Sequence, residues 1–95
     1  MEHELKTDPL PWEDIAAGRK TFEVRRDDRG YEVGDVLFLA KTRYTAAEMA
    51  EGKPLEYTGA WQRVGVQHLL RGPAYGIPDG FVVMSIRPTW KQDKE

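Results

Sequence analysis

Turn-forming residues divide this chain into short segments, and that division limits the folds open to it. Glycine and proline stand at the junctions, most densely in Arg71–Gly80, where they mark a loop. Most segments between the junctions alternate apolar and polar residues, a period of two that is typical of half-buried strands. The predicted strands are His3–Lys6, Thr21–Arg25, Val36–Ala40, Ala60–Leu70 and Phe81–Ile86. Five or six short strands in a chain of this length favour a small β-barrel over a sandwich.

Helix signals bracket one segment near the start of the chain. Pro9 suits a first helical turn, where its missing N–H needs no partner, and Thr7 or Asp8 can cap it. Gly18 stands where a left-handed residue closes a helix, so we expect a helix over residues 9–17.

The stretch Tyr44–Gly59 is expected to be an insertion between strands. Within it, Thr45–Glu51 is predicted to form one or two helical turns, capped by Thr45 and ended by Gly52. The predicted fold class is therefore mainly β with one or two short helices (α+β). Val36–Ala40, almost continuously apolar, is expected to be a central strand, and a proline at position 88 is expected to end the last strand.

Composition narrows the kind of protein. A chain of 95 residues is expected to form one domain over residues 1–95, with a disordered tail over residues 91–95. The formal charge of −2 argues against indiscriminate binding to duplex nucleic acid, but it allows a local basic cleft. With no cysteine and only two histidines, no disulfide, metal or cofactor is expected. No membrane segment is recognised, and the expected location is the cytoplasm of a bacterium or phage host, with a monomer assumed.

The segment Gly18–Arg25 carries the most informative chemistry. We expect its strand to bury Phe22 and Val24 and to present a polar row on the other side. The polar row consists of Thr21, Glu23 and Arg25, and Lys20, on the turn before it, is expected near the same surface. A cation, a carboxylate and a guanidinium on one face can bind a polar planar ligand, since arginine binds phosphate or a base edge and glutamate accepts from an exocyclic amine. The alternative is that Glu23 and Arg25 form a solvated ion pair of small energetic value.

The spacing Gly-x-Lys-x-x-Glu-x-Arg resembles the signature of the ASCH superfamily. It is formed here by Gly18, Lys20, Glu23 and Arg25. Three other stretches look like one ASCH-like family, domain of unknown function 3850: His3–Thr7, Val33–Asp35 and Gly76–Val83. The resemblance covers nearly the whole chain and is least clear in Tyr44–Gly59. It implies a β-barrel related to the PUA domain, a role linked to RNA, and a cleft beside the helix into which Lys20, Glu23 and Arg25 point.

Aromatic residues extend this hypothesis. Tyr75 lies on the glycine- and proline-rich loop, and an aromatic ring beside a cationic cleft is a candidate platform for stacking a base. Its alternative role is to anchor the loop against the barrel rim. Three further aromatic residues are expected in the core: Trp12, Trp61 and Phe81. The predicted ligand is therefore RNA or a modified nucleotide.

The sequence also leaves an enzyme open. One bacterial branch of small ASCH proteins hydrolyses N4-acetylcytidine with a lysine, a threonine and a glutamate. Its lysine corresponds to Lys20, but Glu23 occupies the threonine position, and Thr21 lies about 6–7 Å away along the strand. A metal-independent hydrolase or ribonuclease would instead use Glu23 as general base on water and Lys20 as electrophile.

A protein-interaction module is the third possibility. Such a module would expose an apolar patch. The aromatic residues that would form it are Tyr44, Tyr57 and Trp61.

Overall fold

The computed structural model describes residues 1–92 as a mainly β fold. Its elements are β1 (Glu2–Thr7), α1 (Pro9–Ala16), β2 (Phe22–Arg26), β3 (Val36–Thr42), α2 (Ala46–Ala50), β4 (Tyr57–Arg71) and β5 (Phe81–Gln92). The strands form one sheet in the order β1-β3-β4-β5-β2, in which β1 and β3 are parallel and the other neighbours are antiparallel. The sheet curls into a half-barrel, which confirms the predicted fold class.

The concave face of the sheet holds the core, and α1 packs onto it. Trp12 and Ile15 of α1 are each 1% exposed. The Trp12 indole N–H donates to the Leu39 carbonyl of β3 at 2.9 Å, and the Gln62 amide of β4 donates to the Trp12 carbonyl at 3.0 Å. Burial of each large apolar side chain contributes about 1.5–3 kcal/mol. The helix, and with it the turn that follows, is therefore fixed against the sheet.

Two arginines bridge the open side of the half-barrel, where the edge strands β1 and β2 face each other. The Arg25 Nη2 donates to the Lys6 carbonyl at 3.2 Å, and the Arg29 Nη1 donates to the Glu4 carbonyl at 3.1 Å. Carbonyls two residues apart point to the same side of a strand, here the free edge of β1. We call this bridge of Arg25 and Arg29 the arginine seam. It closes the barrel with side chains where a backbone ladder is missing.

Both helices lie where local signals place them. Gly18 follows α1 with φ +80°, and Gly52 follows α2 with φ +115°. Thr45 caps α2 in a reciprocal arrangement with Glu48, which satisfies two backbone donors at once. Asp8 is the N-cap of α1, but its side chain makes no capping hydrogen bond. Its Oδ1 accepts instead from the backbone N–H of Ala46 at 3.0 Å, so it ties the two helix starts together.

Irregular pairing between β4 and β5 corrects two strand predictions. Pro88 does not end β5. The next residue, Thr89, has no opposite residue on β4 and forms a bulge, and proline is tolerated beside a bulge. On β4 the residue without an opposite partner is Gln67. The regular alternation predicted over Ala60–Leu70 changes phase there, so that Leu69 packs against the core and Leu70 is 37% exposed.

Three further observations concern the described range as a whole. Of the tail predicted over residues 91–95, residues 91 and 92 belong to β5, and residues 93–95 lie outside the described residues. No helix within residues 1–92 is long and apolar enough to cross a membrane. Within the same range, no three histidine, aspartate or glutamate side chains are grouped to hold a metal ion.

Candidate functional site

The site begins at the turn between α1 and β2. Gly18 donates its N–H to the Ile15 carbonyl at 3.0 Å. The next two residues, Arg19 and Lys20, both donate their backbone N–H groups to the Asp14 carbonyl, at 2.9 and 3.0 Å. These bonds satisfy the otherwise unpaired carbonyls at the helix end. They also fix the backbone from which the Lys20 side chain extends.

The inner and outer faces of β2 are the reverse of the prediction. Phe22 and Val24 are 45% and 49% exposed, whereas Glu23 is 3% exposed. The cause is register, since residues directly opposite in an antiparallel pair share a face of the sheet. Glu23 pairs with Met84, a fully buried core residue of β5, and Arg25 follows two residues later on the same inner face. The motif thus points into the half-barrel.

Glu23 holds two cations at once. Its Oε2 lies 2.6 Å from the Lys20 Nζ, and its Oε1 lies 2.9 Å from the Arg25 Nε and 2.8 Å from the Arg25 Nη2. The side chains of Lys20 and Arg25 are 21% and 25% exposed. Both carboxylate oxygens are therefore engaged, and the three groups together carry one excess positive charge. This arrangement excludes the solvated ion pair that the sequence left open.

These side chains border an open cleft of about 290 Å³, which we call the cationic cleft. Its other walls come from the end of β1 and the starts of α1 and α2, and include Lys6, Thr7, Asp8, Pro11 and Ala46. The Thr7 Oγ1 lies 3.5 Å from the Arg25 Nη2. Three cations, Lys6, Lys20 and Arg25, thus face two carboxylates around the cleft. Its local charge is positive, although the whole chain carries a formal charge of −2.

The structure brings together only some of the predicted ligand residues. Lys20, Glu23 and Arg25 border the cationic cleft, as the resemblance implied. Thr21 does not line it, and its carbonyl accepts from the Ile86 N–H at 3.0 Å. Tyr75 is 93% exposed at the tip of the loop before β5, with φ +48°, and does not line the cleft either. Such exposure excludes the alternative that Tyr75 anchors the loop against the rim.

Sequence reasoning missed the opposite wall. Lys6 and Thr7 belong to β1, and Thr7 and Asp8 were considered only as helix caps. One signal in the sequence could have indicated this wall: the polar stretch directly precedes α1, and the end of α1 leads into the motif. The curvature of the sheet brings β1 close to β2, and residues near each other in sequence do not specify this long-range contact.

Two ionisable groups with shifted pKa values lie elsewhere in the barrel. Burial raises the pKa of Tyr31 above 10.0, although the positive charges of Arg25 and Arg29 oppose that shift. The hydrogen bond from His3, at 2.9 Å from the Asp35 Oδ2, lowers the pKa of Asp35, although burial opposes it. Neither Tyr31 nor Asp35 lines the cationic cleft, so we assign both to the structure of the barrel.

Fold and site together define a small, mainly β domain with a half-barrel sheet and a charged cleft beside its first helix. Residues 2–86 match the family described as Domain of unknown function (DUF3850). The chain therefore belongs to the DUF3850 family, which confirms that part of the resemblance. A comparison with the curated proteins finds no match.

Proposed function

We propose that this chain is an RNA-binding or modified-nucleotide-binding domain of the ASCH type, related to the PUA barrel, with the cationic cleft as its ligand site. The observation that carries the proposal is the pair of cations, Lys20 and Arg25, held on the buried carboxylate of Glu23 at the wall of an open cleft. Donors fixed in this way bind an anion at a lower entropic cost than mobile surface lysines do.

Lys20 and Arg25 each keep N–H donors that can bind a ligand in the cationic cleft. The Lys20 ammonium has three N–H groups, and one contact to Glu23 leaves others for a ligand. The Arg25 Nη1 makes no hydrogen bond to any residue within the described range. Phosphate oxygens and the acceptor edges of bases suit such donors. Pro11 and Val24 add apolar surface to the lining, against which a base or a ribose can pack.

Hydrolysis is supported less well by the same geometry. A general base needs a lone pair directed at the water that it deprotonates. Both oxygens of Glu23 already accept bonds from cations, and the residue is 3% exposed. Glu23 therefore positions Lys20 and Arg25, and we assign it no catalytic role.

A binding titration with matched variants tests the proposal. Fluorescently labelled single-stranded RNA and a panel of modified nucleosides are titrated against the wild type, Lys20→Ala, Arg25→Lys and Arg19→Gln. Loss of a charge-assisted contact in Lys20→Ala should weaken binding by about 1–3 kcal/mol. Arg25→Lys keeps the charge but loses the planar fork, and should fall between Lys20→Ala and the wild type.

Arg19→Gln is the control for charge alone. Arg19 is adjacent to Lys20 but pairs with Asp14 at 2.9 Å, and both partners of that pair are exposed. Its removal lowers the net charge as much as Lys20→Ala does, and it should leave affinity nearly unchanged. Equal weakening by Arg19→Gln, or the absence of binding to every RNA and nucleoside, would contradict the proposal.

A further inference from the structure

A second cavity lies on the outer face of the sheet, across β1, β3 and β4. We call it the aromatic groove, and its volume is about 200 Å³. It is lined mainly by Glu4, Phe38, Ala40, Tyr57, Gly59 and Trp61. Trp61, predicted in the core, therefore borders an outer cavity, as does Tyr57, which is 48% exposed. Tyr44, which the sequence grouped with them, does not line the groove.

Small residues open this groove between two aromatic rings. Tyr57 and Trp61 stand opposite Thr42 and Ala40, which are two residues apart on β3, so the two aromatic side chains share one face of the sheet. The register shifts between these two pairs, where Gly59 has φ +98°. Gly59 has no side chain and leaves a gap between the rings of its two neighbours. Ala40 pairs directly with Trp61 across the ladder and adds only a methyl group. A cavity of this volume is smaller than the roughly 300–1,000 Å³ of drug-sized ligand sites, and suits one planar base.

The Trp61 ring is held by its neighbours on one side. Its centroid lies 5.0 Å from that of Phe38, with 23° between the two planes. The Arg63 guanidinium lies 4.9 Å from the Trp61 centroid and 5.1 Å from the Phe38 centroid. Arg63 is in turn fixed by the Glu2 carboxylate at 2.7 Å. By the strand register, Arg63 stands on the side of Trp61 away from Gly59, and Phe38, which also lines the groove, packs against the Trp61 ring.

The aromatic groove borders the cationic cleft. Lys6 lines the cleft, and Ala40 lines the groove. The two residues are direct partners in the β1–β3 ladder, and neighbouring strands lie about 4.8 Å apart. The lining of the cleft and the lining of the groove therefore meet at this pair of residues. Lys6 and Arg63 provide cations at the two sides of the groove.

From this continuity we infer that the ligand is a single strand of several nucleotides, with its backbone in the cationic cleft and a neighbouring base stacked between Tyr57 and Trp61. The inference rests on the proposed function and extends it to a second subsite. Aromatic rings that alternate with cations along one path are the arrangement by which proteins bind single-stranded nucleic acid. A purely apolar protein partner would leave the charge of Lys6 without a counter-charge.

The experiment compares ligand lengths in wild type and groove variants. The probes are uridine monophosphate, a dinucleotide and an oligouridylate of about eight nucleotides, within the span that such folds bind. Wild type should bind the oligouridylate at least tenfold more tightly than the monophosphate. Trp61→Ala and Tyr57→Ala should each weaken oligouridylate binding by about five- to 150-fold, as for one lost base stack. Neither change should alter binding of the monophosphate.

Tyr44→Ala is the matched control, because its ring contacts Lys53 and lies outside the groove. It should bind every probe as the wild type does. If Trp61→Ala fails to fold, Tyr57→Ala decides the question, since its ring is half exposed. Equal affinity for the monophosphate and the oligouridylate overturns the inference and leaves the proposed function intact. Unchanged RNA binding with altered self-association in Tyr57→Ala assigns the groove to protein contact, and binding of no probe overturns both proposals.

Discussion

Replacement of Glu23 by glutamine should destabilise the protein far more than the loss of an exposed charge. The carboxylate is buried on the inner face of β2, where it pairs with both Lys20 and Arg25. Glutamine keeps the shape but removes the negative charge, and its amide presents N–H donors where an acceptor was required. Two cations would then stand together beside the core with no counter-charge.

The magnitude follows from burial and contacts. Removal of one partner from a fully buried ion pair costs about 3–5 kcal/mol, and hydrogen bonds to charged groups contribute about 1.5–3 kcal/mol. Lys20 and Arg25 keep 21% and 25% of their side-chain exposure, so water partly solvates the freed cations. We therefore expect Glu23→Gln to lower the free energy of unfolding by about 2–3 kcal/mol. For a domain of this size, the melting temperature should fall by about 10–20 °C.

Urea and thermal unfolding measure this change, with Asp14→Asn as control. Asp14 pairs with Arg19 at a similar distance, but the two side chains are 46% and 67% exposed, and such pairs contribute about 0–1 kcal/mol. The double variant Lys20→Met/Glu23→Gln lacks one of the two unpaired cations. It should therefore recover part of the free energy of unfolding that Glu23→Gln loses. A loss below about 1 kcal/mol, or one equal to that of Asp14→Asn, would refute the reasoning.

Two further predictions concern residues outside both cavities. Because the His3 hydrogen bond lowers the pKa of Asp35 below 3.8, its stabilising effect is present above about pH 4 and is lost as the pH falls through the folded-state pKa. Asp35→Asn should therefore make the free energy of unfolding, measured by urea titration, depend less on pH in the acid range. An unchanged dependence on pH would contradict this prediction. Tyr75 and Gly76 form a tight turn between Ala74 and Ile77, with φ +48° at Tyr75, a conformation that costs an L-residue roughly 1–2 kcal/mol. Tyr75→Asn should raise the free energy of unfolding by about 0.5–1 kcal/mol, since asparagine suits this position, and a lower melting temperature would contradict it.

The features predicted from sequence are those fixed by neighbours along the chain. Pro9 and Gly18 bracket α1, and Thr45 with Gly52 bracket α2, because capping depends on a few adjacent residues. The identity of the charged motif is equally local. These signals were sufficient for the fold class and for the residues that meet at Glu23.

The faces of the strands depend on distant partners. A shift of register by one residue exchanges the two faces of a strand, and the partner of β2 is β5, about sixty residues later in the chain. Phe22 and Val24 indicated the wrong buried side for that reason. The phase change after Gln67 and the passage of β5 through Pro88 likewise arise from pairing between two strands, and neither alternation nor proline content specifies it.

The arginine seam has a consequence for solubility. The free edge of a sheet offers unpaired backbone groups to which another chain can add as a strand. Arg25 and Arg29 occupy carbonyls of that kind on β1, and their charges repel the approach of a similar edge. Since Arg25 also borders the cationic cleft, one guanidinium both covers the edge of β1 and lines the proposed ligand site. Loss of Arg25 therefore leaves backbone carbonyls on the edge of β1 unpaired, and such a variant should be prone to aggregation.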